Sequence, residues 1–237
     1  LIRKIYKKKE ATNWEWTQLF FWSIFTHPLL DIFTTWGTQF FWPFEWRIAI
    51  QSIFVIDPLY TLPFLISLLI VLFLNRRSKA RRRINRIGLI VSSSYLFASV
   101  IFKLYADSVF EGYLNEEGIS YSQFESRPTP LNTILWTANI EREKDFLITY
   151  YSFFDRDKKL STKSFAKNHE LLYPYRNDSD IEKLIFLTKG FYILEEKEDA
   201  IWMHDLRFGL LDGFYEGKNE FVFTYIIEPK EDGLLIH

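Results

Sequence analysis

His27 and Asp31 are the residues of the N-terminal half whose types and spacing suit chemistry. Four positions apart, they fall on one face of a helix, where an imidazole nitrogen and a carboxylate oxygen can meet one ion. Both are suitable zinc ligands. They stand in an apolar, aromatic-rich stretch, Leu19 to Phe44, where ionisable groups are costly unless they face a cavity, a bundle interior or a metal. Pro28 cannot donate to the carbonyl of Ile24, so the helix is expected to kink or restart there, with Thr26 capping the new start. Two ligands do not make a metal site, and a His bonded to its own Asp as a structural pair fits the same spacing. Thr34, Thr35 and Asp57 are candidate supporting groups, although Asp57 before Pro58 reads better as a helix cap. In the C-terminal half, Arg207 is a candidate contact for an anionic substrate headgroup. The competing reading is an ion pair with Asp205 on the same strand face. His169 and His204 read as structural or surface residues. No Gly-rich phosphate loop, nucleophile elbow or His-Glu-x-x-His pattern occurs, and the absence of cysteine excludes disulfides and thiolate metal sites.

The elements that would position His27 and Asp31 read as membrane helices. Of the 237 residues 48% are hydrophobic and 19% aromatic, heavy in aromatics for a soluble domain. The formal charge of −1 conceals an asymmetry. Of 29 Lys and Arg, 14 lie at or before Asp107, against 6 of the 30 Asp and Glu, so the first part is net +8 and the remainder net −9. Such a division suggests a membrane-associated basic half and a solvated acidic half. Three spans are expected, at about 16–36, 58–75 and 87–105, inside a transmembrane region 1–107, followed by a linker 108–131. Ser92, Ser93, Ser94, Ala98 and Ser99 offer small faces for helix packing in lipid. Arg76, Arg77, Lys79, Arg81, Arg82, Arg83 and Arg86 form an acid-free run that favours the cytoplasmic side, as do Arg3, Lys4, Lys7, Lys8 and Lys9. With apolar segments on both sides, this run reads as a topology signal rather than a nucleic-acid patch. The expected protein is multi-pass in the cytoplasmic (inner) membrane, with its C-terminal domain extracytoplasmic. Phe40, Phe41, Trp42, Phe44 and Trp46 around Pro43 suit the outer headgroup level, where they could roof His27 and Asp31.

Residues 132–237 read as a small soluble α+β domain. Thr133 to Ile140 and Phe146 to Phe154 suggest a hairpin, Asp178 to Leu187 a helix, and Phe191 to Glu195, Ala200 to Leu206 and Phe221 to Ile227 three further strands. Gly209 to Asn219 reads as a loop. The expected fold class is thus a multi-pass α-helical membrane region followed by a small α+β extracytoplasmic domain.

The run from His27 through Asp31, Thr34, Thr35, Trp36 and Gly37 to Phe44 resembles the signature of the YdjM-like family of membrane-bound, metal-dependent hydrolases. Asp57 to Pro63, Pro128 to Trp136, Lys167 to Leu172 and Asp205 to Gly209 resemble further blocks of its longer members. Those members carry an additional N-terminal membrane region with a Thr-His, a Pro-Asp-x-Asp block and a His-Arg-Gly-x-x-His-Ser block. None of these occurs here, and the chain opens on Leu1, so the resemblance implies a C-terminal fragment whose remaining ligands lie upstream. It further implies metal-assisted hydrolysis with a divalent ion, zinc by choice of ligands, held by His27 and Asp31, with Asp31 as ligand or proton acceptor. A site at the outer interface favours a phospholipid or lipid-linked ester as substrate, with the lipid bilayer as standing partner. The alternative is a non-catalytic membrane scaffold or binding protein with an extracytoplasmic interaction domain.

Overall fold

The computed structural model describes residues 12–44, 46–155, 160–210, 220–230 and 233–237. Helix α1, Asn13–Asp31, opens on a capping box in which Thr12 and Glu15 satisfy each other's backbone amides. It runs through Pro28 without restarting. Thr26 caps nothing, since its hydroxyl donates to the carbonyl of Trp22 at 2.7 Å. No α1 residue is buried; Leu19, Phe20, Phe21, Trp22, Ile24 and Phe25 all face outward. Helix α2, Pro58–Phe73, is capped by Asp57, which accepts from the amides of Leu59 and Tyr60. Helix α3, Lys79–Glu116, is capped by Ser78.

These helices correct the multi-pass expectation. Among the described residues only α3 is long and apolar enough to cross a membrane. Its 38 residues extend about 57 Å, against roughly 30 Å of hydrocarbon. At 16 residues, or about 24 Å, α2 is too short, and α1 is diluted by Glu15, Thr17, Gln18, Ser23, Thr26 and His27. The α2 helix packs antiparallel along α3: Gly88 leaves no room for a Cβ beside Ser67, whose own Cβ would lie 2.6 Å away. At one end of the pair the guanidinium of Arg81 donates to the carbonyls of Val71 and Leu74, and at the other the Tyr95 hydroxyl donates to Asp57 at 2.8 Å. Of the small residues expected to pack, Ser92 and Ser99 are buried while Ser93 and Ser94 face out.

The buried residues of α3 (Gly88, Ser92, Leu96, Ser99, Ala106, Phe110 and Leu114) recur at helical spacing along one face. The first part of that stripe meets α2 and the loop before it, where Ser99 donates to the Ser52 hydroxyl. The last part enters a sheet core with Trp136, Ala138, Tyr151 and Leu160. Residues 108–131 thus hold the end of α3 and the first strand.

The rest of the chain forms two four-stranded antiparallel sheets, each a meander. The first comprises β1 Gln123–Pro128, β2 Leu135–Glu141, β3 Asp145–Ser152 and β4 Ser161–Ala166; the second comprises β5 Tyr192–Lys197, β6 Ala200–Leu210, β7 Phe221–Lys230 and β8 Gly233–Ile236. Between them lie a 3-10 helix, His169–Tyr175, and α4, Ser179–Thr188, capped by Asp178. The expected hairpin, helix and three later strands are present; β1, β4 and β8 are additions, and most of the expected Gly209 to Asn219 loop lies outside the described residues. In β2, Trp136, Ala138 and Ile140 face α3, while the alternate residue Asn139 faces the second sheet. Phe146 and Ile148 of β3 join Phe191, Ile193, Leu206 and Leu210 in a core between the sheets. A third core holds Leu172, Ile181 and Leu184 against Tyr192, Leu194, Met203 and Ile227. The order of layers is therefore α3, first sheet, second sheet, α4.

One buried and one half-buried imidazole give the sheets an acid sensitivity. His204 is 5% exposed, contacts the Thr224 hydroxyl at 2.8 Å and stacks on Phe221; His169 stacks on Tyr192. Burial holds both below the ordinary histidine pKa. The unfolded chain binds protons on these residues as pH falls through about 6.5, where the fold resists them, so their contribution is present above that pH and lost below it. Asp145 acts in the same sense at lower pH, lowered chiefly by its bond from Arg142. Thermal unfolding in detergent is expected to move to lower temperature between pH 7 and pH 5, with a shallower slope in His169→Phe. An unchanged slope in that variant would remove His169 from the explanation.

Candidate functional site

The loop from Ile32 to Asp57 brings the candidate residues into relation. It folds back on the end of α1: the amide of Ile50 donates to the Ile32 carbonyl, and those of Ser52 and Ile53 to the Phe33 carbonyl. Thr38 and Ile48 form a two-hydrogen-bond bridge. Gly37 makes this possible, with φ +65° and a position where a Cβ would lie 2.3 Å from the Ile48 carbonyl oxygen. Trp42, Phe44 and Trp46 project from the loop, 81%, 63% and 73% exposed. Such aromatics belong at a headgroup boundary.

His27 Nε2 lies 3.5 Å from Asp31 Oδ2, as their spacing requires. Their side chains are 78% and 43% exposed, and neither side chain makes a further hydrogen bond among the described residues. Thr34 and Thr35 are buried behind them, the Thr34 hydroxyl donating to the Asp31 carbonyl at 2.8 Å. The Thr34 hydroxyl thus braces the backbone of the helix end. Asp57 is engaged elsewhere, joining the α2 cap to Tyr95, whose hydroxyl also meets Thr133 at 3.0 Å. Among the described residues no three His, Asp or Glu gather closely enough to hold a metal ion. His27 and Asp31 supply two donors where a catalytic zinc takes three from protein, so the described residues do not fit a complete metal centre.

Arg207 lies in a different place, where the expected ion pair with Asp205 is present. It is 2% exposed and Asp205 is fully buried. Asp205 accepts from the Arg207 backbone amide, Nε and Nη2, the last at 2.6 Å. A break in the β6–β7 register follows Asp205, and Gly209 takes φ +72°. The Leu206 carbonyl turns to the first sheet, accepting from Arg127 Nη2 and Asn139 Nδ2. The Arg207 guanidinium lies 4.7 Å from the Trp36 ring, which packs on Phe208. The loop after α1 is thereby docked onto the second sheet.

That docking encloses a pocket of about 320 Å³ lined by Trp36, Arg47, Phe186, Leu187, Lys189 and Arg207. Arg47 donates to the Trp36 carbonyl. Lys189 follows α4 in the left-handed region at φ +53°, a conformation in which glycine is the inexpensive residue. Burial is the main influence lowering its pKa; Arg207, Arg47 and Arg127 push the same way against Glu125. Sequence reasoning found Arg207 but not Arg47 or Lys189. The three are 160 residues apart at the extremes and no local pattern links them.

A family model described as YdjM inner membrane protein matches residues 2–106. The resemblance drawn from the sequence holds over that stretch, which ends before the first sheet. No curated protein and no solved structure matches the chain.

Proposed function

We propose, taking as premise an inner-membrane region that is YdjM-like over residues 2–106, that this protein is a membrane-bound, metal-dependent hydrolase. In this reading His27 and Asp31 contribute two ligands to a divalent-metal site, and residues other than those described complete it. The observation that supports it most is the exposed face at the end of α1: two ligand-type side chains 3.5 Å apart, held beside a loop of interfacial aromatics. Zinc suits an imidazole–carboxylate set, and the position favours a phospholipid or lipid-linked ester as substrate. Metal analysis of the full-length protein, purified in detergent without chelators, is expected to find a stoichiometric divalent ion that is lost in His27→Ala and in Asp31→Ala. A metal-free parent protein would sink this reading. The second reading, a non-catalytic scaffold whose sheets dock a partner, is favoured by the lack of a third donor among the described residues.

The proposed orientation follows from α3. Arg81, Arg82, Arg83 and Arg86 stand in its first turns, and short basic segments remain cytoplasmic. Its other end leads into the sheets, which therefore lie outside the cytoplasm. A reporter active only after export, fused behind Ile236, is expected to be active; activity of a cytoplasm-only reporter at the same junction would reverse the orientation.

A further inference from the structure

Among the described residues, those around the pocket beside Trp36 carry a positive charge that is not balanced. Arg47, Arg127, Lys189 and Arg207 lie close enough to influence one another, with Glu125 and Asp205 as the acids among them. Among the described residues, four cations against two carboxylates leave two positive charges. Asp205 is committed to Arg207 Nε and Nη2, and Glu125 accepts from Gln51 and lies 4.0 Å from Arg127. Lys189 has no hydrogen bond or ion pair among the described residues, and neither does the guanidinium of Arg47 beyond the Trp36 carbonyl. A half-buried lysine in a left-handed conformation, with Glu125 alone set against three arginines and no hydrogen bond among the described residues, is a costly arrangement for a fold to keep without a ligand.

The rest of the lining states what else the ligand carries. Phe186 and Leu187 are 59% and 42% exposed at the pocket mouth, and Trp36 forms its aromatic wall. Arg47 follows directly on Trp46, so the cationic end adjoins the loop that carries Trp42, Phe44 and Trp46.

We propose that this pocket binds the phosphate of a phosphate ester, held by Lys189, Arg47 and Arg207, with the apolar body of the ester lying on Phe186, Leu187 and Trp36. A phosphate monoester carries about 1.5 to 2 negative charges near neutral pH, close to the excess in the pocket, and guanidinium groups suit its oxygens. The ligand is either a membrane lipid whose headgroup is a phosphate monoester, as in phosphatidic acid, or a soluble phosphate monoester with an apolar substituent; both present the same chemistry to these residues. This site is independent of the metal reading, since none of its residues is a proposed metal ligand.

The test is calorimetric titration of the full chain in neutral detergent, with EDTA present so that metal binding does not contribute. The probes are a short-chain diacyl phosphatidic acid and phenyl phosphate. Arg207 is left unaltered because it holds Asp205. Lys189→Gln and Arg47→Gln are each expected to weaken binding of the phosphatidic acid about tenfold or more, the scale of a hydrogen bond to a charged group. Lys183→Gln, on α4 but outside the pocket, is expected to leave it unchanged. Tighter binding of the diacyl probe, reduced by Phe186→Ala, assigns the site to lipid; equal binding of phenyl phosphate with the same dependence on Lys189 and Phe186 assigns it to a soluble ester. Failure of the parent protein to bind either probe would overturn the proposal. So would a Lys189→Gln, Arg47→Gln double variant with undiminished affinity.

Discussion

Replacing Arg207 by methionine is expected to destabilise the fold by about 3–5 kcal/mol. The loss comes less from the attraction given up than from what is left behind. Asp205 has no exposure to water and takes its side-chain ion pair from this guanidinium, so removing one partner strands a carboxylate in the interior. The change also takes away the cation beneath Trp36, one of the contacts that docks the loop after α1 onto β6. Chemical denaturation of the full chain in detergent, followed by fluorescence, measures the loss. Asp205→Leu combined with Arg207→Met is expected to recover part of it, since burying neither charge is cheaper than burying one. A single Arg207→Met variant within about 1 kcal/mol of the parent would mean that the pair is dispensable.

Phe110→Ala is expected to cost a comparable amount, about 3–5 kcal/mol, for a different reason. Phe110 is fully buried where α3 enters the first sheet, among Ala106, Trp136, Ala138 and Tyr151, with its ring edge-on to Tyr151 at 6.3 Å. Truncation leaves a cavity between two rigid elements that cannot close around it. The consequence reaches beyond stability, because this contact fixes the sheets to α3, among the described residues the one helix long and apolar enough to span a membrane. The same denaturation experiment is expected to show the loss, whereas Phe97→Ala, on an exposed face of α3, is expected to leave stability little changed. A loss below about 1 kcal/mol for Phe110→Ala would place the anchor elsewhere.

Legibility in the sequence differed by element. The α4 helix and the β2–β3 hairpin could be read because their signals are local: Asp178 before a helical pattern, and two apolar runs flanking Glu141 to Asp145. Strands β1 and β4 could not, since Gln123 to Pro128 and Ser161 to Ala166 hold few apolar residues. What makes a strand of β1 is pairing with β2, together with a partner for its buried Arg127, the Leu206 carbonyl some 79 positions away. The span count failed because the apolar runs within α1 and α2 suggest spans, whereas α1 carries too many polar residues among them and α2 is too short.

The sequence by itself determined the basic–acidic division of the chain, the caps Asp57 and Asp178, and the closeness of His27 to Asp31, since i and i+4 on a helix must meet. Tertiary structure alone decided that α3 continues into the first sheet, and that Asp205 and Arg207 are a buried pair. It also decided that Arg47, Lys189 and Arg207 share one pocket. Helical periodicity and capping act within a few residues and are written locally. Burial and charge clustering depend on which distant segments the loop after α1 and the bulge in β6 bring together, and that follows from packing.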